Sequence, residues 1–140
     1  MTRPRYEPDD PREWLSRARS NLRLAAAQDP GIHLEELCYN AQQAAEKAIK
    51  AVFVKLGKPF PYTHNLAQLL GRLSGAGMEV PAEVGRAVDL TRFAYEARYP
   101  SVGPEVTPEM HEQCLGVAQA TVEWAETIIQ TECGGSSNQE

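Results

Sequence analysis

Between Leu34 and Leu56, apolar residues recur at spacings of three and four: Leu34, Leu37, Ala41, Ala45, Ala48, Val52 and Leu56. Cys38, Ile49 and Phe53 widen that stripe to core-facing width. The pattern predicts one unbroken helix of roughly 33 Å, stopped by the turn Gly57-Lys58-Pro59-Phe60-Pro61. Alanines at 41, 44, 45, 48 and 51 let neighbouring helices approach closely from two sides. Gln42, Gln43, Glu46, Lys47 and Lys50 make up the remaining polar face, with Glu46 and Lys50 in the favourable acid-first i,i+4 order.

The same periodicity organises the rest of the chain around this pillar. Residues 1–10 read as an irregular arm. Asp9 or Asp10 caps a first helix that begins at Pro11, carries Glu13 in its first turn and runs to about Gln28. It buries Trp14, Leu15, Ala18, Leu22 and Ala25, and Asp29-Pro30-Gly31 stops it. Arg12, Arg19 and Arg23 fall on one outer stripe, read as a solvated face. A short third helix is capped by Thr63 or Asn65, buries Leu66, Leu69, Leu70 and Leu73, and ends at 74–77. A fourth is expected from Pro81 to Tyr99, burying Val84, Val88, Thr91 and Tyr95, because the residue before Pro100 is pushed out of the α region. After a loop at 100–106, Thr107 caps a last helix with Pro108 and Glu109 in its first turn. Its core stripe is Met110, Cys114, Val117, Thr121, Ala125 and Ile128, widened by Leu115, Ala118, Val122 and Ile129. Gly134-Gly135 is expected to end it, leaving 134–140 as a disordered tail. No alternating strand pattern and no internal repeat occur, so the expected fold is all-α, an antiparallel up-and-down bundle of about five helices spanning 11–133.

Composition narrows the function classes. With 140 residues, 42 % hydrophobic and 24 % charged, the chain has the profile of one soluble domain, and no apolar run approaches membrane-spanning length. The polar first ten residues, with two prolines, lack the character of a signal peptide, so the expected location is the cytoplasm. Cys38, Cys114 and Cys133 form no CxxC pair, and His33, His64 and His111 have no ligand spacing, so no metal and no cofactor are expected. The net charge of −5 conceals an asymmetry. Residues 1–98 carry all 14 basic residues against 12 acidic ones, whereas 99–140 carry 7 acidic residues and no Lys or Arg. A phosphate-binding surface therefore belongs on the earlier helices, and Glu112, Glu123 and Glu126 are read as pairing with basic neighbours or facing water.

Three segments carry a family signature: residues 39–51 (Tyr39-Asn40-Ala41-Gln42-Gln43-Ala44-Ala45-Glu46-Lys47-Ala48-Ile49-Lys50-Ala51), then Thr63-His64-Asn65-Leu66, then Ala97-Arg98-Tyr99-Pro100. In order and spacing they resemble the HEPN family of prokaryotic helical-bundle proteins, over about Trp14 to Ile129. The resemblance implies a bundle of four or five helices, usually homodimeric, often encoded beside a minimal nucleotidyltransferase in a two-component or toxin–antitoxin-like system. Many such proteins are metal-independent ribonucleases in which an Arg and a following His are separated by four to six intervening residues. Here Arg98 sits at the matching helix end, but Gly103, Pro104 and Glu105 occupy the positions where the His belongs, and His111 comes thirteen residues later. The chain looks closer to a subgroup with Arg-Tyr-Pro in place of that motif, whose members resemble nucleotide- or partner-binding subunits.

The residues themselves describe an anion pocket. Arg98 supplies a planar fork for phosphate, and Lys47 and Lys50 supply point charges; His64, Asn65 and Gln43 are placed to contact a base or sugar, and Tyr99 offers a stacking face. For metal-free RNA cleavage the candidates are Arg98, His64 and Glu46, and an acid–base pair exists only if the fold brings His64 and Glu46 together. The expected function is a non-catalytic, dimeric subunit that binds a nucleotide, RNA or a nucleotidyltransferase partner. The alternatives are a divergent ribonuclease and a purely structural oligomerisation module.

Overall fold

The computed structural model describes residues 5–96 and 105–138, with side chains for 5–95 and 105–130. It consists of α1 (Pro11–Ala25), α2 (Leu34–Lys55), α3 (Leu66–Gly75), α4 (Ala82–Gly85), a 3₁₀ segment (Arg86–Leu90), α5 (Phe93–Glu96) and α6 (Pro108–Asn138). The fold is an all-α bundle, and no strand occurs among the described residues. α2 is its axis, packed against α1, α6, α3 and α5. Its alanines at 41, 44, 45, 48 and 51 have no exposed surface at all, which is what lets helices close on it from both sides. α1 runs antiparallel to α6: Arg19 reaches Glu126, while His111 donates from Nε2 to the carbonyl of Ala25 at the end of α1. Burial of Ile49, Leu66, Leu69 and Leu73, all fully enclosed, contributes about 2 kcal/mol per side chain.

Local chemistry explains where the helices start and stop. Asp10 accepts from the Arg12 N–H at 2.9 Å and Pro11 follows it, so α1 begins there. Asn65 caps α3 by accepting from Gln68 N–H, and the hydroxyl of Thr107 accepts from Met110 N–H at the start of α6. α2 ends in a left-handed residue, Gly57 at φ 70°, with Lys58 N–H on the Phe53 carbonyl and Gly57 N–H on the Val54 carbonyl. α3 ends the same way at Gly77. Residues 5–10 before α1 are tied down, since Tyr6 N–H donates to Glu13 and Trp14 Nε1 donates to the Pro8 carbonyl.

Four elements differ from the sequence-based expectation. α1 stops at Ala25 rather than near Gln28, and Gly31 N–H closes a turn onto Asp29. The single helix expected from Pro81 is broken into α4, the 3₁₀ segment and α5. Val84, Ala87, Leu90 and Phe93 are buried at a spacing of three that matches the tighter 3₁₀ turn, with Ala94 buried beside them, whereas Val88 and Tyr95 are exposed. The break is put to use: the Thr91 hydroxyl accepts from Leu66 N–H and satisfies a donor at the start of α3. On α2, Gln42, Glu46 and Lys50 are not on an outer face but are buried, at 0, 4 and 7 % exposure. Finally, α6 continues through Gly134-Gly135 to Asn138; glycine weakens a helix interior by about 1 kcal/mol but does not forbid it.

Candidate functional site

Gln42, Glu46 and Lys50 lie one turn apart on α2, so their side chains stack along one line of the helix. Glu46 Oε1 accepts from Gln42 Nε2 at 2.8 Å, and Oε2 accepts from Lys50 Nζ at 2.8 Å. Gln43 extends the line by donating to Gln42 Oε1 at 2.7 Å. Across from this row stands His64, whose Nδ1 is 2.9 Å from Glu46 Oε1.

The route that delivers His64 begins at Gly57. The left-handed turn reverses the chain, and Phe60 then wedges edge-on against Phe53 and Trp14 while the Lys50 ammonium sits 5.1 Å from its ring centre. Residues 61–64 are thereby laid back along α2, and the Asn65 cap starts α3 immediately after the histidine. His64 keeps 44 % of its side chain exposed while its partner Glu46 keeps 5 %. The imidazole also stands beside Tyr95, whose ring is 6.3 Å away and nearly perpendicular.

Electrostatics set the protonation of this cluster. Burial, the largest single influence, raises the Glu46 pKa, but hydrogen bonds from Lys50, His64 and Gln42 together outweigh it and hold the carboxyl below its ordinary value. An ionised carboxylate only accepts hydrogen bonds, so the proton shared with His64 is carried on Nδ1. With one proton on the ring, Nε2 is then an acceptor, and among the described residues it has no hydrogen-bond partner. The arrangement is a carboxylate–imidazole pair in which the buried member fixes the tautomer and orientation of the exposed one.

The other site residues expected from the sequence are distributed differently. Lys47 turns toward α1, where Nζ donates to Asn21 Oδ1 at 2.8 Å and Asn21 in turn donates to Asn40. Burial first, and then the charges of Arg17 and Lys50, lower its pKa. Lys47 and Lys50 are thus committed to different partners instead of jointly lining an open strip. Asn65 spends its side-chain oxygen on the α3 cap, and Gln43 is half-buried in the relay to Gln42. Arg98 and Tyr99, with the Arg-Tyr-Pro sequence, lie outside the described residues. Of the outer arginines, Arg12 pairs with Asp10 and Arg19 with Glu126 at 2.6 Å, while Arg23 is exposed. Sequence reasoning missed Gln42 and Tyr95. For Gln42 a signal existed, since polar residues at 42, 46 and 50 repeat every four positions within an otherwise apolar helix. For Tyr95 the helical period itself misled, because it placed the ring in the core.

Among the described residues no three His, Cys, Asp or Glu side chains converge as metal ligands, and no helix is long and apolar enough to cross a membrane.

No curated protein matches the chain. Two solved structures share its architecture. TT1696 from Thermus thermophilus is 30 % identical, with a TM-score of 0.73 over 84 % of this chain and 97 % of that one. ST0689, an archaeal HEPN homologue, is 25 % identical, with a TM-score of 0.67 over 86 % of this chain and 98 % of that one. The HEPN domain profile matches residues 11–128, which takes in the whole pillar, the Glu46–His64 pair and most of α6. With this match and the shared bundle, the chain belongs to the HEPN family.

Proposed function

We propose that this chain is a non-catalytic HEPN subunit that dimerises, binds a nucleotide or RNA segment at His64 and works beside a nucleotidyltransferase partner in a toxin–antitoxin-like system. The observation that carries the binding assignment is the state of Glu46. Its two oxygens take hydrogen bonds from Gln42, Lys50 and His64, and its pKa is held low, so it is a poor proton donor and acts as an anchor for the imidazole. A fixed, half-exposed ring with an aromatic neighbour is suited to holding a ligand. Arg98 and Tyr99 follow α5 within a few residues, and we assign them the phosphate and a second stacking face. The dimer and the nucleotidyltransferase partner draw their support from the family.

A titration of short single-stranded RNA against wild type, Arg98→Ala, His64→Ala and Glu123→Ala tests the site. Arg98→Ala is expected to weaken binding by roughly tenfold or more, the usual consequence of losing a charge-assisted hydrogen bond, and Glu123→Ala, on the acidic α6, is expected to change nothing. Equal affinities in all four proteins would sink the assignment. Light scattering at tens of micromolar protein, roughly the concentration at which a micromolar interface fills, checks the dimer.

One observation favours a second reading, a divergent metal-independent ribonuclease. The 2.9 Å Glu46–His64 contact is also the arrangement that orients a histidine general base. Cleavage of RNA in EDTA that is lost in both Arg98→Ala and His64→Ala would establish it; the expected outcome is no cleavage.

A further inference from the structure

We infer that His64 makes the site selective for ribose, through a hydrogen bond from a ligand 2′-hydroxyl to Nε2. This inference rests on the nucleotide-binding reading and specifies which nucleic acid the site prefers. The donor direction is set by the hydrogen-bond chain. Gln43 donates to Gln42, Gln42 and Lys50 donate to Glu46, and the Nδ1 proton of His64 is the third donor to the carboxylate. The singly protonated ring therefore presents a lone pair outward. A phosphate diester has no proton to offer such an atom, whereas a hydroxyl does.

Tyr95 places the sugar. Its ring is about half exposed, stands nearly perpendicular to the imidazole and lies 6.3 Å from it. A base laid on the tyrosine face carries its sugar roughly one ring-width to the side, where the imidazole stands. Rigidity turns the contact into discrimination. The acceptor cannot swing away when the hydroxyl is missing, because Glu46 holds the ring and is itself held by Lys50 at 2.8 Å. A site built around a particular hydroxyl rejects the analogue that lacks it by leaving its own polar atom unpaired. Glu46 is the positioning residue in this scheme and His64 the contact.

The test compares single-stranded RNA with DNA of the same sequence, with EDTA present and at about pH 8, where imidazole is ordinarily singly protonated. Wild type is expected to prefer RNA by about tenfold, the value of one well-formed hydrogen bond. His64→Ala should bring RNA and DNA to equal affinity. Glu46→Gln keeps the size of the side chain but can donate to Nδ1 and so move the ring proton to Nε2; it should also abolish the preference while the helical circular dichroism is kept. Equal binding of RNA and DNA by wild type, or a preference that survives His64→Ala, overturns the inference and leaves the binding reading intact. A preference kept by Glu46→Gln overturns the tautomer argument. Binding of neither nucleic acid overturns the binding reading and the inference with it.

Discussion

His64 and Glu46 are eighteen positions apart in the chain, and Nδ1 of the first lies 2.9 Å from Oε1 of the second. The contact depends on a third residue, because the carboxylate stays charged inside the bundle only with the Lys50 ammonium 2.8 Å from its other oxygen. Removing one member of a buried ion pair leaves the other without compensation. Lys50→Met is therefore expected to destabilise the fold by about 3 kcal/mol, measured by urea unfolding, and adding Glu46→Gln should recover part of the loss. A cost near zero for the single variant would mean that the pair is not needed to keep Glu46 ionised.

The titration of this core gives stability a pH dependence of definite sign. The folded-state pKa of Glu46 lies below its ordinary 4.5, so its contribution is complete above that value and disappears as the pH falls through the lower, folded one. Glu46→Gln should flatten the acid limb of the stability curve. Lys47 behaves in the opposite range. Burial, with Arg17 nearby, lowers its pKa from 10.5, so between the folded value and 10.5 the unfolded chain holds more protons and stability rises with pH. Lys47→Met should remove that rise. Thermal melts across the two limbs check both.

Gly57 takes φ 70°, and a Cβ built there meets nothing within 4 Å. Gly57→Ala is expected to cost about 1 kcal/mol from backbone strain alone, with no clash to relieve. Because this turn sets the path to His64, the imidazole NMR signals of the variant should shift as well. Unchanged stability would show that the α2 stop does not depend on the left-handed residue.

The neighbouring Cys114 thiol, with burial, pushes the Cys38 thiol of α2 up, and the same pairing lowers Cys114 on α6. Both are buried. In a Cys133→Ser background, an aromatic disulfide reagent should modify the native protein at least about tenfold more slowly than the urea-unfolded chain, since access requires opening of the bundle. Equal rates would place at least one thiol at the surface.

The sequence alone determined the features governed by interactions within a turn or two of the chain. Asp10, Asn65 and Thr107 start helices because each side-chain oxygen reaches an N–H two or three residues ahead. The alanine stripe announced a pillar packed on both sides, and Gly57 followed by Lys58-Pro59 announced its end. Helical periodicity failed where longer-range packing overrode it. From Pro81 onward the α-helical period placed Val88 and Tyr95 inside. The chain there tightens to a period of three, burying Ala87, Leu90 and Phe93 and leaving Thr91 to cap α3. The polar row of α2 was legible as a row but not as a core feature. A side chain such as Glu46 can be buried only if the fold supplies its donors, and one of them, His64, arrives through a loop reversal after Phe60 has found Phe53 and Trp14. The residues of the site were readable one by one; their meeting was decided by tertiary structure, because a hydrogen bond across eighteen positions has no local period to announce it.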